Sequence, residues 1–252
     1  MPRRPKSSSE REPRPHAAPD ARDARTRIVD ALMALAAERP WEDITISDIA
    51  RHADVTLAEF RDHFISKGAI LGAFARRIDK IVLEGTGDEL AEESAKDRLF
   101  DVLMRRLDAM SPYKEAIEGI VEWSDRDPLA AAALNRQAVN SMRFMLEAAG
   151  IGSEGPVGML KRQGLVFVWR RILARWFRDD DPGLARTMAA LDRELARGGR
   201  IVARANDLYH LTSPLRSLAR AAYRRRSRHS ERVRERWRGD DREPDDLAEA
   251  ST

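Results

Sequence analysis

The chain has 252 residues, of which 42% are hydrophobic and 35% charged, with no cysteine and a formal net charge of +3. Its length suits one large domain or two smaller ones. The missing cysteines exclude disulfides, thiolate metal sites and cysteine nucleophiles. No apolar run approaches the roughly 20 residues needed to span a bilayer, and Met1 to Arg27 lack the apolar stretch of a secretion signal, so a cytoplasmic location is expected. Ala, Leu, Arg and Glu are abundant while aromatics make up 6%; these are strong helix formers, and an all-α protein is predicted.

Residues 1–22 carry Pro2, Pro5, Pro13, Pro15 and Pro19 among basic and small residues, which predicts a disordered basic tail. Helical patterning begins near Ala24, with Ile28, Ala31, Leu32 and Leu35 on one face and Pro40 as the stop. Two capped units follow. Thr45-Ile46-Ser47-Asp48 and Thr56-Leu57-Ala58-Glu59 both have the spacing of a capping box. Between them lie Ile49 to Ala53 and then Asp54, where a left-handed backbone is expected because Asp tolerates it better than most residues. Short helix, tight turn, short helix predicts a helix-turn-helix packed through Ile49, Ala53, Val55, Phe60 and Phe64.

Ser66 is placed to cap a long helix with Ile70, Leu71, Phe74, Ile78, Ile81 and Val82 inward, stopped by Gly85-Thr86-Gly87. No strand precedes those glycines and no Gly-Lys-Ser/Thr follows, so they do not form a phosphate loop. Further helices are predicted from about Lys96 to Met110, with Leu99, Val102, Leu103 and Leu107 inward, and from Pro112. Another starts from an Asp127 cap with Pro128 at the first helical position and ends at Gly150. Next comes an unusually apolar helix over 157–177. After Asp179-Asp180-Asp181-Pro182, a last core helix carries Leu184, Met188, Leu191 and Leu195, closed by Gly198-Gly199. From about Asn206 the character changes. Ser213-Pro214 opens a narrow apolar face of Leu215, Leu218, Ala222 and Tyr223 surrounded by arginines, and the chain ends in acidic sequence.

The segment from Ile44 to Ile70 resembles the TetR-type helix-turn-helix. Ile49-Ala50, Ala53, Val55, Thr56, Phe64 and Lys67 stand at positions matching that family's pattern. It departs from the pattern at Asp54, where the family has its turn Gly, and at Arg61 and His63, where two Tyr are usual. Its second helix also carries the acidic Glu59 and Asp62. The resemblance implies a TetR-like fold, with an N-terminal three-helix reader and a larger C-terminal helical bundle. Residues 23–83 would form the reader with its connecting helix, 84–204 the ligand-sensing and dimerisation domain, and 205–252 a basic helix and acidic tail. It also implies a transcriptional regulator that binds operator DNA as a homodimer through helices of about 157–177 and 183–197. Shorter patches, Arg98 to Met104 and Thr187 to Arg193, resemble coenzyme Q biosynthesis lipid-binding proteins of the same fold. That implies the alternative of a lipid-binding accessory protein with a degenerate reader.

On the regulator reading, the helix opening at Thr56 enters the major groove. Thr56, Leu57 and Arg61 then reach bases or backbone, His63 and Lys67 contact phosphate, and Thr45 completes the DNA-facing set. Met104, Trp123, Met142, Met145 and Trp169 are candidates to line a pocket for a small apolar or lipid ligand, Met being suited to adaptable pockets. The five histidines show no metal-ligand spacing, no catalytic constellation is present, and no cofactor is expected. The basic C-terminal helix suggests contact with DNA phosphates or a weak contact with an anionic membrane surface.

Overall fold

Only helices and turns form among the described residues, which in this computed structural model are 21–87 and 92–211, with side chains described for 24–87 and 92–201. In chain order the helices are α1 (Ala21–Glu38), α2 (Ile46–His52), α3 (Leu57–His63), α4 (Lys67–Glu84), α5 (Ala95–Met110), α6 (Lys114–Arg126), α7 (Pro128–Ala148), α8 (Gly155–Trp176) and α9 (Ala185–Leu211). Two 3-10 turns, Trp41–Asp43 and Ser111–Tyr113, precede α2 and α6. The architecture is the all-α one expected from the composition.

Most boundaries fall where local chemistry puts them. Ser66 accepts the Ala69 amide to start α4, and Asp127 accepts the amides of Leu129 and Ala130 at the start of α7, with Pro128 in its first turn. Asp54 has φ 51°, the left-handed turn conformation expected of it. One stop signal is overridden. α9 continues through Gly198-Gly199 to Leu211, because a glycine in a helix interior costs about 1 kcal/mol but ends nothing unless the backbone turns left-handed there.

By its internal packing the chain divides after Gly198. The first unit holds α1–α8 and the start of α9. The described part of the second is the rest of α9. The expected basic helix from Ser213 and the proline-rich start up to residue 20 lie outside the described residues. Among the described residues, no helix is long and apolar enough to cross a membrane.

In the first unit α1 packs on α2, α4 and α6, α4 on α5 and α7, and α7 on α5, α6 and α8. One continuous core results, running from Ile28 and Leu32 through Ile49, Phe60 and Ile70 to Leu103, Leu107, Met142 and Trp176. Because α4 belongs to both ends of that core, it positions the helix-turn-helix against the larger bundle. Two residues expected inward are exposed, Ile81 (50%) and Met188 (39%). Leu191, on α9 and within the expected dimer segment, is instead wholly buried inside its own chain.

Candidate nucleic-acid interface and sensor core

The helix-turn-helix is built by reciprocal caps. The Thr45 hydroxyl accepts the Asp48 amide (3.1 Å) and donates to the Asp48 carboxylate (2.6 Å), which also accepts the Thr45 amide (3.1 Å). Thr56 and Glu59 repeat this at 3.1, 3.0 and 2.8 Å. Each box satisfies amides that the helix start leaves without partners. Both carboxylates are held below their ordinary pKa, Asp48 chiefly by the Thr45 hydroxyl and Glu59 chiefly by the Thr56 amide. Glu59 therefore turns its charge back onto the first turn of α3. The hydroxyls of Thr45 and Thr56, expected among the DNA-facing groups, are engaged in the same boxes.

The far ends of the two short helices are fastened by cations from α1. Arg27 donates through Nε to the Ala53 carbonyl (3.0 Å) and through Nη2 to that of Asp54 (3.4 Å). Arg25 reaches the His63 carbonyl (3.4 Å), and its guanidinium lies 4.6 Å from the Phe64 ring centroid. Positive charge at a helix C-terminus is favourable because the unpaired carbonyls there carry the negative end of the dipole. Lys67, expected on phosphate, has its ammonium turned inward. It donates to the carbonyls of Trp41 and Ile44, both at 2.7 Å, and sits 4.6 Å from the Trp41 ring centroid. Burial pulls its pKa below the usual lysine value, with Glu42 opposing. The physical reason is local: the end of the Trp41–Asp43 turn offers two acceptors and an aromatic face within reach of the first residue of α4.

On α3 the outward side consists of Leu57, which is 56% exposed, with Ala58, Arg61 and Asp62 also exposed and His63 half-buried. Phe60 and Phe64 anchor the opposite side in the core, their ring centroids 6.4 Å apart. The structure thus brings Leu57, Arg61 and His63 together on one short helix held rigidly at both ends. Residues 28–74, which contain α2 and α3, match the family model described as bacterial regulatory proteins, tetR family.

Residues 28–74 are thus similar to a TetR-type helix-turn-helix.

About 70% of the chain is similar in fold to solved TetR structures. One is a TetR transcriptional regulator from Nitrosomonas europaea (TM-score 0.57, 22% identity, covering 69% of this chain and 97% of that one). Another is a TetR transcriptional regulator from Rhodococcus sp. RHA1 (TM-score 0.52, 20% identity, covering 71% and 97%). At these identities the likeness establishes a shared fold. No curated protein matches the chain at a significant level.

Behind the helix-turn-helix, the five residues expected to line a ligand pocket separate. Met142 and Met145 are wholly buried and Trp169 nearly so, filling the core, while Met104 packs partly buried against it. Trp123 stacks on Trp41 with centroids 5.1 Å apart. It lines a groove of 870 Å³ between the helix-turn-helix and α6–α7, together with Trp41, Lys67, Leu71, Leu134 and Gln137. A smaller pocket of 140 Å³ is lined by Phe74, Ile78, Arg106, Met110, Ile120 and Ser141, among others. Among the described residues no group of three His, Asp or Glu side chains is placed to hold a metal ion.

Sequence reasoning passed over the polar heart of this domain. Asp79 and Arg106, both 6% exposed, form an ion pair between α4 and α5, and Ser141 donates to the second Asp79 oxygen at 2.8 Å. A signal was present: each helix places a lone charge of opposite sign in or beside an apolar stripe, Arg106 between Leu103 and Met110, and Asp79 beside Ile78.

Proposed function

We propose that the protein is a DNA-binding transcriptional regulator that engages operator DNA as a homodimer, with α3 in the major groove, and responds to a small apolar ligand in its helical bundle. The observation that supports this most is the state of α3. Its caps are complete, its C-terminus is fastened by Arg25, and its one acidic first-turn residue is folded back, leaving Leu57 and Arg61 outward. Arg61 is the base reader, since a guanidinium can make two hydrogen bonds to guanine O6 and N7. Leu57 supplies apolar contact to a thymine methyl. Lys67, Arg25 and Arg27 hold the reader's shape.

The homodimer is supported by an uncovered apolar stripe on α8. Leu160 and Phe167 are 50% and 64% exposed, and Gly164 lies one turn from each on the same face with open space above it. Residues at that spacing share one side of a helix.

Selection of bound sequences from a random duplex pool, using the full chain at low salt, tests the reading. A twofold-symmetric site is expected, its half-sites one helical turn or a multiple apart. Arg61→Ala should relax preference at one base pair per half-site, at about 1–3 kcal/mol. Recovery of no enriched site would overturn the DNA reading in favour of the lipid-binding alternative.

A further inference from the structure

The 870 Å³ groove between the helix-turn-helix and α6–α7 is not used by the DNA contacts proposed above. Trp41, Trp123, Ile46, Ile65 and Leu71 make most of its wall apolar, and Ile46 and Ile65 are 41% and 76% exposed. Along α7 the wall changes character. Ala130, Ala133 and Leu134 are followed by Arg136, Gln137 and Asn140. Small-molecule sites have this make-up: clefts of about 300–1,000 Å³, mainly apolar and aromatic, with a few polar groups that fix orientation.

The polar groups converge. A Cβ built on Gly72 would lie 3.0 Å from Gln137 Nε2 and 3.4 Å from Arg76 Nη1. Amide and guanidinium therefore meet over a position on α4 that carries no side chain to hold them apart. Arg76 and Arg136 are exposed and Gln137 is half-buried. Among the described residues, none of the three side chains has a hydrogen bond or an ion pair.

Charge selects the ligand. Among the described residues the groove wall carries Lys67 and Arg136 and no acid. The Lys67 ammonium is engaged with the carbonyls of Trp41 and Ile44, which leaves the arginine. Arg76 lines an adjoining pocket that shares Asn140, and the acids there are already paired, Asp79 with Arg106 and Glu84 with Lys80. An anion at this place meets two guanidiniums and an amide, and no unpaired carboxylate opposes it. Guanidinium–carboxylate hydrogen bonds are among the strong ones. The length also fits: Ala130 and Gln137 are two helical turns apart, about 10 Å, which is the reach of a two-ring acid.

We infer that this groove binds an aromatic carboxylate, its rings against the Trp41–Trp123 wall and its carboxylate held by Arg76, Arg136 and Gln137. The site lies outside the bundle interior, between α7 and the α3–α4 connection, and rests on no part of the regulator reading.

Calorimetry on the full chain without DNA tests the inference, with naphthaleneacetate as probe and naphthaleneacetamide as its neutral, shape-matched analogue. The acetate should bind about tenfold or more tightly than the amide, the worth of hydrogen bonds to a charged group. Arg76→Gln combined with Arg136→Gln should erase that preference and leave binding of the amide unchanged. Ala133→Phe, at an exposed position on the α7 wall, fills the groove without touching the core and should weaken both probes. Equal binding of acetate and amide, a preference that survives the double arginine replacement, binding indifferent to Ala133→Phe, or no binding of either probe would each overturn the inference. Because no DNA is present, failure here leaves the regulator reading standing.

Discussion

Asp54, at φ 51°, carries the turn of the helix-turn-helix with a residue that meets left-handed backbone at moderate cost. A β-branched side chain there meets steric conflict that Asp does not. Asp54→Val should therefore lower stability by about 1–2 kcal/mol in urea titration, while Asp54→Asn should leave it near wild type. The capping carboxylates give the fold a pH dependence. Asp48 and Glu59 are both lowered by their Thr partners, and Asp179, which accepts the Thr187 amide and hydroxyl at 2.9 and 2.7 Å, is lowered chiefly by that hydroxyl. Folded-state values below the unfolded ones mean that the contribution is complete above the unfolded values, about 4. It is lost as pH falls through the folded ones. Melting temperature should thus hold steady from neutral pH down to about 5 and then fall, and Thr56→Val with Thr187→Val should flatten that fall. A wild type whose melting temperature rises on acidification would contradict these assignments. The Thr-x-x-Asp and Thr-x-x-Glu boxes could be read in advance because all their partners lie within four residues.

At the scale of the element, helix ends depend on what approaches them. The start of α8 lies so close to the preceding loop that a Cβ on Gly158 would overlap the Ser153 backbone carbonyl. Ser153 itself is fixed, its amide and hydroxyl donating to Glu147 at 3.0 and 2.6 Å. Gly158→Ala should cost about 1–3 kcal/mol through this overlap, whereas Gly164→Ala, on the same helix with open space above it, should gain a few tenths from helix propensity if the face stays free. Chemical denaturation of the two variants separates close approach from mere helix preference. Nothing in the local sequence distinguishes these glycines, because the neighbour that makes one of them tight is known only once the loop is folded. The same holds for α9, where Gly198-Gly199 reads as a stop but lies inside the helix.

For the whole molecule, the distinction that matters is between apolar residues that fill the protomer and those left on its surface. Leu191 and Phe167 both belong to the segments expected to pair between copies, yet Leu191 is wholly buried and Phe167 is 64% exposed. Phe167→Glu should keep the far-ultraviolet circular dichroism and melting of the protomer while converting the proposed dimer to monomer in size-exclusion chromatography with light scattering. Leu191→Arg should instead fail to fold, since it buries an unpaired charge. A Phe167→Glu protein that remains dimeric would remove α8 from the interface. The uncharged core around Leu103, Leu107 and Met142 was visible as stripes, whereas the Asp79–Arg106 pair at its centre was visible only as two interruptions of such stripes.

Periodicity, caps and turn residues settled the all-α class, the helix-turn-helix and nearly every helix start without reference to tertiary contacts. These depend on hydrogen bonds and side-chain faces within a few residues along one chain segment, where sequence distance and spatial distance agree. Tertiary structure alone decided which cations act inside the molecule. Arg25, Arg27 and Lys67 have the composition of phosphate contacts but donate to carbonyls on other elements. It also decided that Met142, Met145 and Trp169 are core while Trp123 faces a groove, and that Arg106 meets Asp79 across 27 residues. A side chain's role in each case follows from the acceptor, ring or void that a distant segment brings to it, and the residue's own neighbours in sequence carry no information about that approach.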